Sequence, residues 1–129
     1  MIYRPVKLDE SEMVRAFLQR MGWGERVADP ERFRTLLANS DRTVSAWDDD
    51  RLVGFARALC DDVSNGYISM VAVDPAYHGQ RIGSELISRL IGDDPRITWV
   101  LRAGRDSHEF WERLGFVPSL IAMERLRQR

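Results

Sequence analysis

The sequence predicts an α+β fold, and three features of its hydrophobic pattern carry that reading. Apolar residues recur every three to four positions before residue 40, as on one buried face of a helix. From Arg42 the period falls to two, as in half-buried strands. From Ile68 to Ile91 an apolar strand runs through a polar, glycine-containing loop into an amphipathic helix without a break.

Ile2 to Val6 reads as a first strand. Asp9 is placed to cap a helix with Glu12 at the capping-box position, and Met13, Val14, Phe17, Leu18 and Met21 form its buried stripe. Gly22 and Gly24 end it. Asp29-Pro30 opens a second helix with proline at its first position, where a missing N–H is no loss, and Phe33, Leu36 and Leu37 face inward. Thr43 to Trp47 and Leu52 to Leu59 are strands of a hairpin joined at Asp48-Asp49-Asp50, with Gly54 marking a bulge or close packing. Asp61 to Gly66 is the next turn.

Met70 to Val73 is apolar and β-branched enough for a buried strand, which Asp74-Pro75 ends. In the helix beyond, Ile82, Leu86, Ile87, Leu90 and Ile91 share one face while Glu85, Ser88 and Arg89 look away. A strand-like stretch, ITWVLRA, precedes a last helix with Asp106 as N-cap, Glu109 three residues on, Phe110, Trp111 and Leu114 inward and Gly115 at C′. In the final stretch Arg125, Arg127 and Arg129 alternate, as on the outer face of an edge strand.

A chain of 129 residues has the size of one domain, and 44% hydrophobic with 30% charged residues is a globular composition. A net charge of −1 gives no basic balance to attract nucleic acid or an anionic membrane. Cys60 is the only cysteine, so no internal disulfide forms and the thiol is expected to pack. No run is apolar enough to span a membrane and the N-terminus lacks a signal-peptide core, so a cytoplasmic location is expected. Two distant histidines and one cysteine give no metal set.

The loop from His78 to Gly83 delivers the chain into a helix N-terminus, where N–H groups lack internal partners and the helix dipole is positive. Phosphate groups bind such a place through backbone alone. Gly79 can take positive φ, Gly83 offers no side chain to block a pyrophosphate, and Arg81 adds a cation. The six residues His78, Gly79, Gln80, Arg81, Ile82 and Gly83 resemble the [Gln/Arg]-x-x-Gly-x-[Gly/Ala] loop of the GNAT N-acetyltransferase superfamily, with His78 and Arg81 departing from it. Arg81 serves there if its φ is negative. Asp106 to Phe116, reading DSHEFWERLGF, resembles the same family's Phe-Tyr-x-x-x-Gly-Phe signature, with Trp111 at the tyrosine position.

The resemblance implies a mostly antiparallel central sheet of six to seven strands, about four flanking helices and splayed central strands, spread over one domain of residues 1–129. It implies acetyl-CoA as acyl donor, with contacts from the backbone of Met70, Val71, Ala72 and Val73, from His78 through Ser84, and from Ser107, Phe110 and Trp111. The family's usual glutamate base and tyrosine acid have no counterparts here. Candidates for proton handling are His108, Tyr67, Asp61 and Asp62, with Trp111 able to donate a hydrogen bond to sulfur but no proton. An exposed His108 and turn carboxylates at Asp61 and Asp62 are the plain structural alternatives. Trp23, between Gly22 and Gly24, is either core or a wall of the acceptor pocket.

The implied activity is transfer of an acetyl group to a primary amine of a small molecule within a ternary complex, since Cys60 is the only nucleophile for an acyl-enzyme. The alternative from a different class is a catalytically weak or inactive acyl-CoA-binding regulatory module, motivated by Trp111 and the missing acid. A nucleotide-binding domain of another type uses the same loop physics, but no Gly-Lys-Ser/Thr ending or Rossmann-type acidic residue follows. Homodimers are common in the family, and the last strand offers an edge for one.

Overall fold

The computed structural model describes residues 1–128. A single mixed sheet runs in the order β1 (Ile2–Arg4), β2 (Arg42–Asp48), β3 (Arg51–Cys60), β4 (Asn65–Val73), β5 (Thr98–Leu101). Its first three pairings are antiparallel and β4–β5 is parallel. The helices are α1 (Ser11–Arg20), α2 (Pro30–Ala38), α3 (Ile82–Ile91) and α4 (His108–Arg113).

The α+β class and four helices match the expectation, but five strands replace six or seven among the described residues. The expected final antiparallel pair does not form among the described residues. Residues 117–128 form no strand, and Val117, Leu120, Ile121, Met123 and Leu126 are exposed. Pro118 has no N–H for a ladder, and Ser119 Oγ accepts from Ile121 N and Ala122 N, bending the segment into a turn. Arg125 and Arg127 are exposed without a strand beneath them, and Arg129 lies outside the described residues.

Two apolar layers sandwich the sheet. On one face Val14, Phe17 and Leu18 of α1 and Phe33 and Leu37 of α2 pack on Trp47, Leu52, Phe55 and Met70. On the other, Ile82, Leu86, Ile87 and Leu90 of α3, with Trp111 of α4, pack on Val44, Val53, Ala56 and Ile68. At Gly54 the α3 side chains lie against the strand: a Cβ there would sit 3.0 Å from Leu86 Cδ1 and 3.2 Å from Ile82 Cγ2. Arg42 Nη1 donates to the carbonyls of Leu90 (2.9 Å) and Ile91 (3.1 Å), satisfying orphan acceptors at the end of α3.

Helix ends follow local chemistry. Asp29 Oδ1 accepts from Glu31 N and Arg32 N, capping α2 with Pro30 at its first position as expected. The expected Asp9–Glu12 box is not used. A 3-10 turn at Leu8–Glu10 precedes α1, and Glu10 accepts from Lys7 N while chelated by Arg4, leaving Glu12 to pair with Arg15. Nor is Asp106 a cap: α4 starts at His108 behind Ser107, whose hydroxyl donates to Gly104 O. Gly115 has φ +93, and the N–H of Phe116 reaches Trp111 O at 3.0 Å, closing α4 as the sequence predicts.

Candidate active site

The strands β4 and β5 pair only from Asn65–Thr98 to Ile68–Leu101, and β4 runs on to Val73 with no partner on that side among the described residues. Backbone groups along this free edge keep their hydrogen-bonding capacity for a ligand. At its start β4 bulges. Arg57 faces Ser69 and Phe55 faces Ala72, so Met70 and Val71 together oppose Ala56, and Met70 takes φ +59. Ile68 and Met70 therefore pack on opposite faces although two residues apart, and Ser69 and Met70 line one cleft together.

At the far end of the free edge lies the glycine-containing loop. Asp74 N donates to Val53 O at 2.8 Å, and Asp74 Oδ1 accepts from Ala76 N, folding Pro75–Tyr77 into a 3-10 turn. Tyr77 donates its hydroxyl to Asp48 Oδ2 at 2.6 Å. Gly79 then takes φ +84 with nothing within 4 Å of where a Cβ would stand. Arg81 takes φ +60, ψ 24 at the N-cap of α3, so the expectation of a negative φ is corrected: it holds the left-handed turn that the resembled motif gives to glycine. No side chain caps α3, and its first-turn N–H groups at Ile82, Gly83 and Ser84 precede the first helical bond, Glu85 N to Arg81 O.

Gly83 serves packing here. A Cβ would come within 3.0 Å of Phe110 Cε1, so the bare helix surface admits the ring that ties α4 to α3. Phe110 and Phe116 hold Trp111 edge to face, with centroids 4.9 and 5.3 Å away, and Trp111 is 8% exposed. His78 and Gln80 are exposed beside the loop, and Ser107 is half-buried ahead of α4.

The proton-handling candidates are scattered. His108 opens α4 on the exposed surface, on the same side of the sheet as Trp111. Asp61 sits in the β3–β4 turn, beyond the paired end of β4. Its carboxylate accepts from Ser64 Oγ and from the N–H groups of Val63, Ser64 and Asn65, with the Ser64 hydroxyl foremost in holding it far below the usual carboxylate range. A carboxylate so satisfied anchors the turn, and hydrogen bonds that favour its charged form weaken it as a base. Asp62, also in that turn, pairs with Arg42 at 2.8 Å. Tyr67 alone of the four faces the cleft on the α1/α2 side, where its hydroxyl accepts from Arg102 Nε at 2.9 Å.

That cleft, of about 840 Å³, is bounded by α2, by Arg57 of β3, by Tyr67, Ser69 and Met70 of β4, and by Arg102. Arg57 was not singled out by the sequence reading. Its signal was present, a charge at an inward position two residues after Phe55 in an otherwise apolar strand. Trp23 is half-buried against the α1/α2 core, with the Arg26 guanidinium 4.6 Å above its ring. No group of metal-binding side chains occurs among the described residues, and no helix among them is long and apolar enough to cross a membrane.

This arrangement has parallels. A 78-residue stretch is 38% identical to an uncharacterised ycf52-like N-acetyltransferase of Prochlorococcus marinus, covering 57% of this chain and 42% of that protein. The chain thus spans less than half the length of that curated relative. The fold matches a ribosomal-protein-alanine N-acetyltransferase of Brucella melitensis with TM-score 0.76 at 19% identity, covering 99% of this chain and 100% of that one. It also matches a Clostridium acetobutylicum protein described as a predicted acetyltransferase, crystallised with acetyl-CoA, with TM-score 0.74 at 17% identity over 97% and 95% of the two chains. At those identities the likeness is one of fold. The pattern of the acetyltransferase (GNAT) family matches residues 9–116, from the 3-10 turn ahead of α1 to just past α4, and the chain belongs to that family.

Proposed function

We propose that this chain transfers an acetyl group from acetyl-CoA to a primary amine of a small molecule by direct attack in a ternary complex. The observation that carries this reading is the free edge of β4, with the uncapped N-terminus of α3 at one end and a polar cleft behind its bulge. In this reading the loop from His78 to Ser84 holds the pyrophosphate through backbone N–H groups, helped by Arg81. The pantetheine arm extends the sheet along Met70 to Val73. At the bulge a backbone N–H polarises the thioester carbonyl. The amine attacks from the cleft side, the carbon–sulfur bond breaks, and the thiolate leaves with a proton drawn from solvent.

Tyr67 is the proposed hydrogen-bonding partner of the amine, whose proton passes to cleft water. Because the thiol of CoA is a weak acid, this chemistry proceeds without a dedicated donor, and orientation of two bound reactants supplies much of the acceleration. Isothermal titration with acetyl-CoA and thiol release across an amine panel test the proposal. Turnover supports it. Binding with no turnover of any amine favours the second reading, an acyl-CoA-binding regulatory module, for which the packed Trp111 in the acid position is the observation.

A further inference from the structure

We infer that the acceptor of this enzyme is an amine that also carries a carboxylate, and that Arg57 is the residue that selects it. This rests on the acetyl-transfer reading above, and it names the acceptor class that reading leaves open.

The cleft is cationic. Five arginines, Arg26, Arg32, Arg57, Arg102 and Arg127, line it against the three carboxylates of Glu25, Asp29 and Glu31. Asp29 is committed to capping α2, and Glu25 and Glu31 are exposed. Among the described residues no carboxylate lies within ion-pair distance of Arg26, Arg57 or Arg127. Arg102 alone is neutralised, by Glu124 at 3.2 Å.

Arg57 is held in a way that leaves its fork free. Its Nε donates to Ser40 Oγ at 2.8 Å, and that hydroxyl in turn donates to Leu36 O at 2.8 Å, fixing the guanidinium to the end of α2. The Nη atoms make no hydrogen bond among the described residues, yet no side-chain nitrogen there is buried without a partner, so they open on the cleft. Burial, then the charge of Arg26, disfavours the protonated form of Arg57, and burial, then the charges of Arg127 and Arg102, does the same at Arg26. A guanidinium without a counter-ion, anchored through Nε and presenting two parallel N–H donors, is matched in geometry and charge by a carboxylate.

The position suits substrate selection. Arg57 is the register partner of Ser69, one residue before the Met70 bulge where the thioester is proposed to lie. A carboxylate on the Arg57 fork therefore sets the attached amine near the reacting carbonyl. A site built to hydrogen-bond one substrate group rejects analogues lacking it, because its own donors are then left unpaired.

The test compares free amino acids, each with its own carboxamide, by thiol release from acetyl-CoA. The acids are expected to exceed the amides at least tenfold in kcat/KM. Arg57→Gln collapses that ratio towards one, and Arg57→Lys restores part of it. An amide used as well as its acid by the wild-type protein overturns the inference while leaving acetyl transfer standing. Titration with N-acetyl amino acids and their carboxamides gives a readout that needs no turnover. Tenfold tighter binding of the acids, lost in Arg57→Gln, supports the anion site even if acetyl-CoA does not bind, and equal binding or none overturns it.

Discussion

Arg81 is the residue at which sequence and geometry pull hardest against each other. A non-glycine side chain in the left-handed region costs about 1–2 kcal/mol, and the turn into α3 requires that region. Arg81→Gly is therefore expected to stabilise the protein by about 1 kcal/mol in urea denaturation. The same variant loses the guanidinium proposed to meet a CoA phosphate, so acetyl-CoA affinity is expected to fall in titration as stability rises. Stability and affinity rising together would remove Arg81 from the phosphate site.

Glu10 gives a pH dependence at the same scale. The Arg4 guanidinium foremost, with the N–H of Lys7, lowers its carboxyl from 4.5 to about 2. Because the folded state depresses this pKa, the stabilisation is present above pH 4.5 and drains away as pH falls towards 2. Glu10→Gln is expected to lower stability near neutral pH by about 1 kcal/mol. Denaturation curves of the two proteins should converge as the solution is acidified through that window. A gap that stays constant with pH would mean the ion pair contributes nothing.

At the scale of elements, the parallel β4–β5 pair depends on one absent side chain. Gly66 lies opposite Trp99, and a Cβ there would collide with the indole ring. Gly66→Ala is expected to destabilise by roughly 1–3 kcal/mol, measured by thermal or urea unfolding. Wild-type stability in Gly66→Ala would show that Trp99 moves aside freely. In α4, Trp111→Tyr swaps an indole for a phenol within the same aromatic packing. The expected result is similar acetyl-CoA affinity with a higher kcat, since a phenol can pass a proton to the leaving thiolate. An unchanged kcat would mean that proton delivery does not limit the rate.

Elements whose signals are local were legible in the sequence, and those set by distant partners were not. Asp29-Pro30 and Gly115 announce their helix ends through chemistry confined to one turn. Glu10 was passed over because its partner Arg4 sits on the preceding strand, outside the capping-box pattern. The Met70 bulge is a property of register against β3, invisible in an apolar run. Alternating arginines near the C-terminus satisfied the period-two pattern, yet a strand needs a paired neighbour as well as a pattern.

For the whole molecule, the sheet keeps the two candidate features apart. The α3 face presents the uncapped helix and the α1/α2 face presents the cleft, with the unpaired edge of β4 between them. The loop and strand of the candidate site were legible as structure because both lie within one continuous stretch from Ile68 to Ile91. The cleft was not, since Arg26, Arg57 and Arg102 come from three separate segments that only the folded sheet assembles.

The most direct test of this account is isothermal titration of the protein with acetyl-CoA, with ATP and NAD as controls. Selective, saturable binding of acetyl-CoA with one site per chain is the predicted result. No binding, or equal binding of ATP or NAD, would contradict the assignment of the loop and the β4 edge to acetyl-CoA.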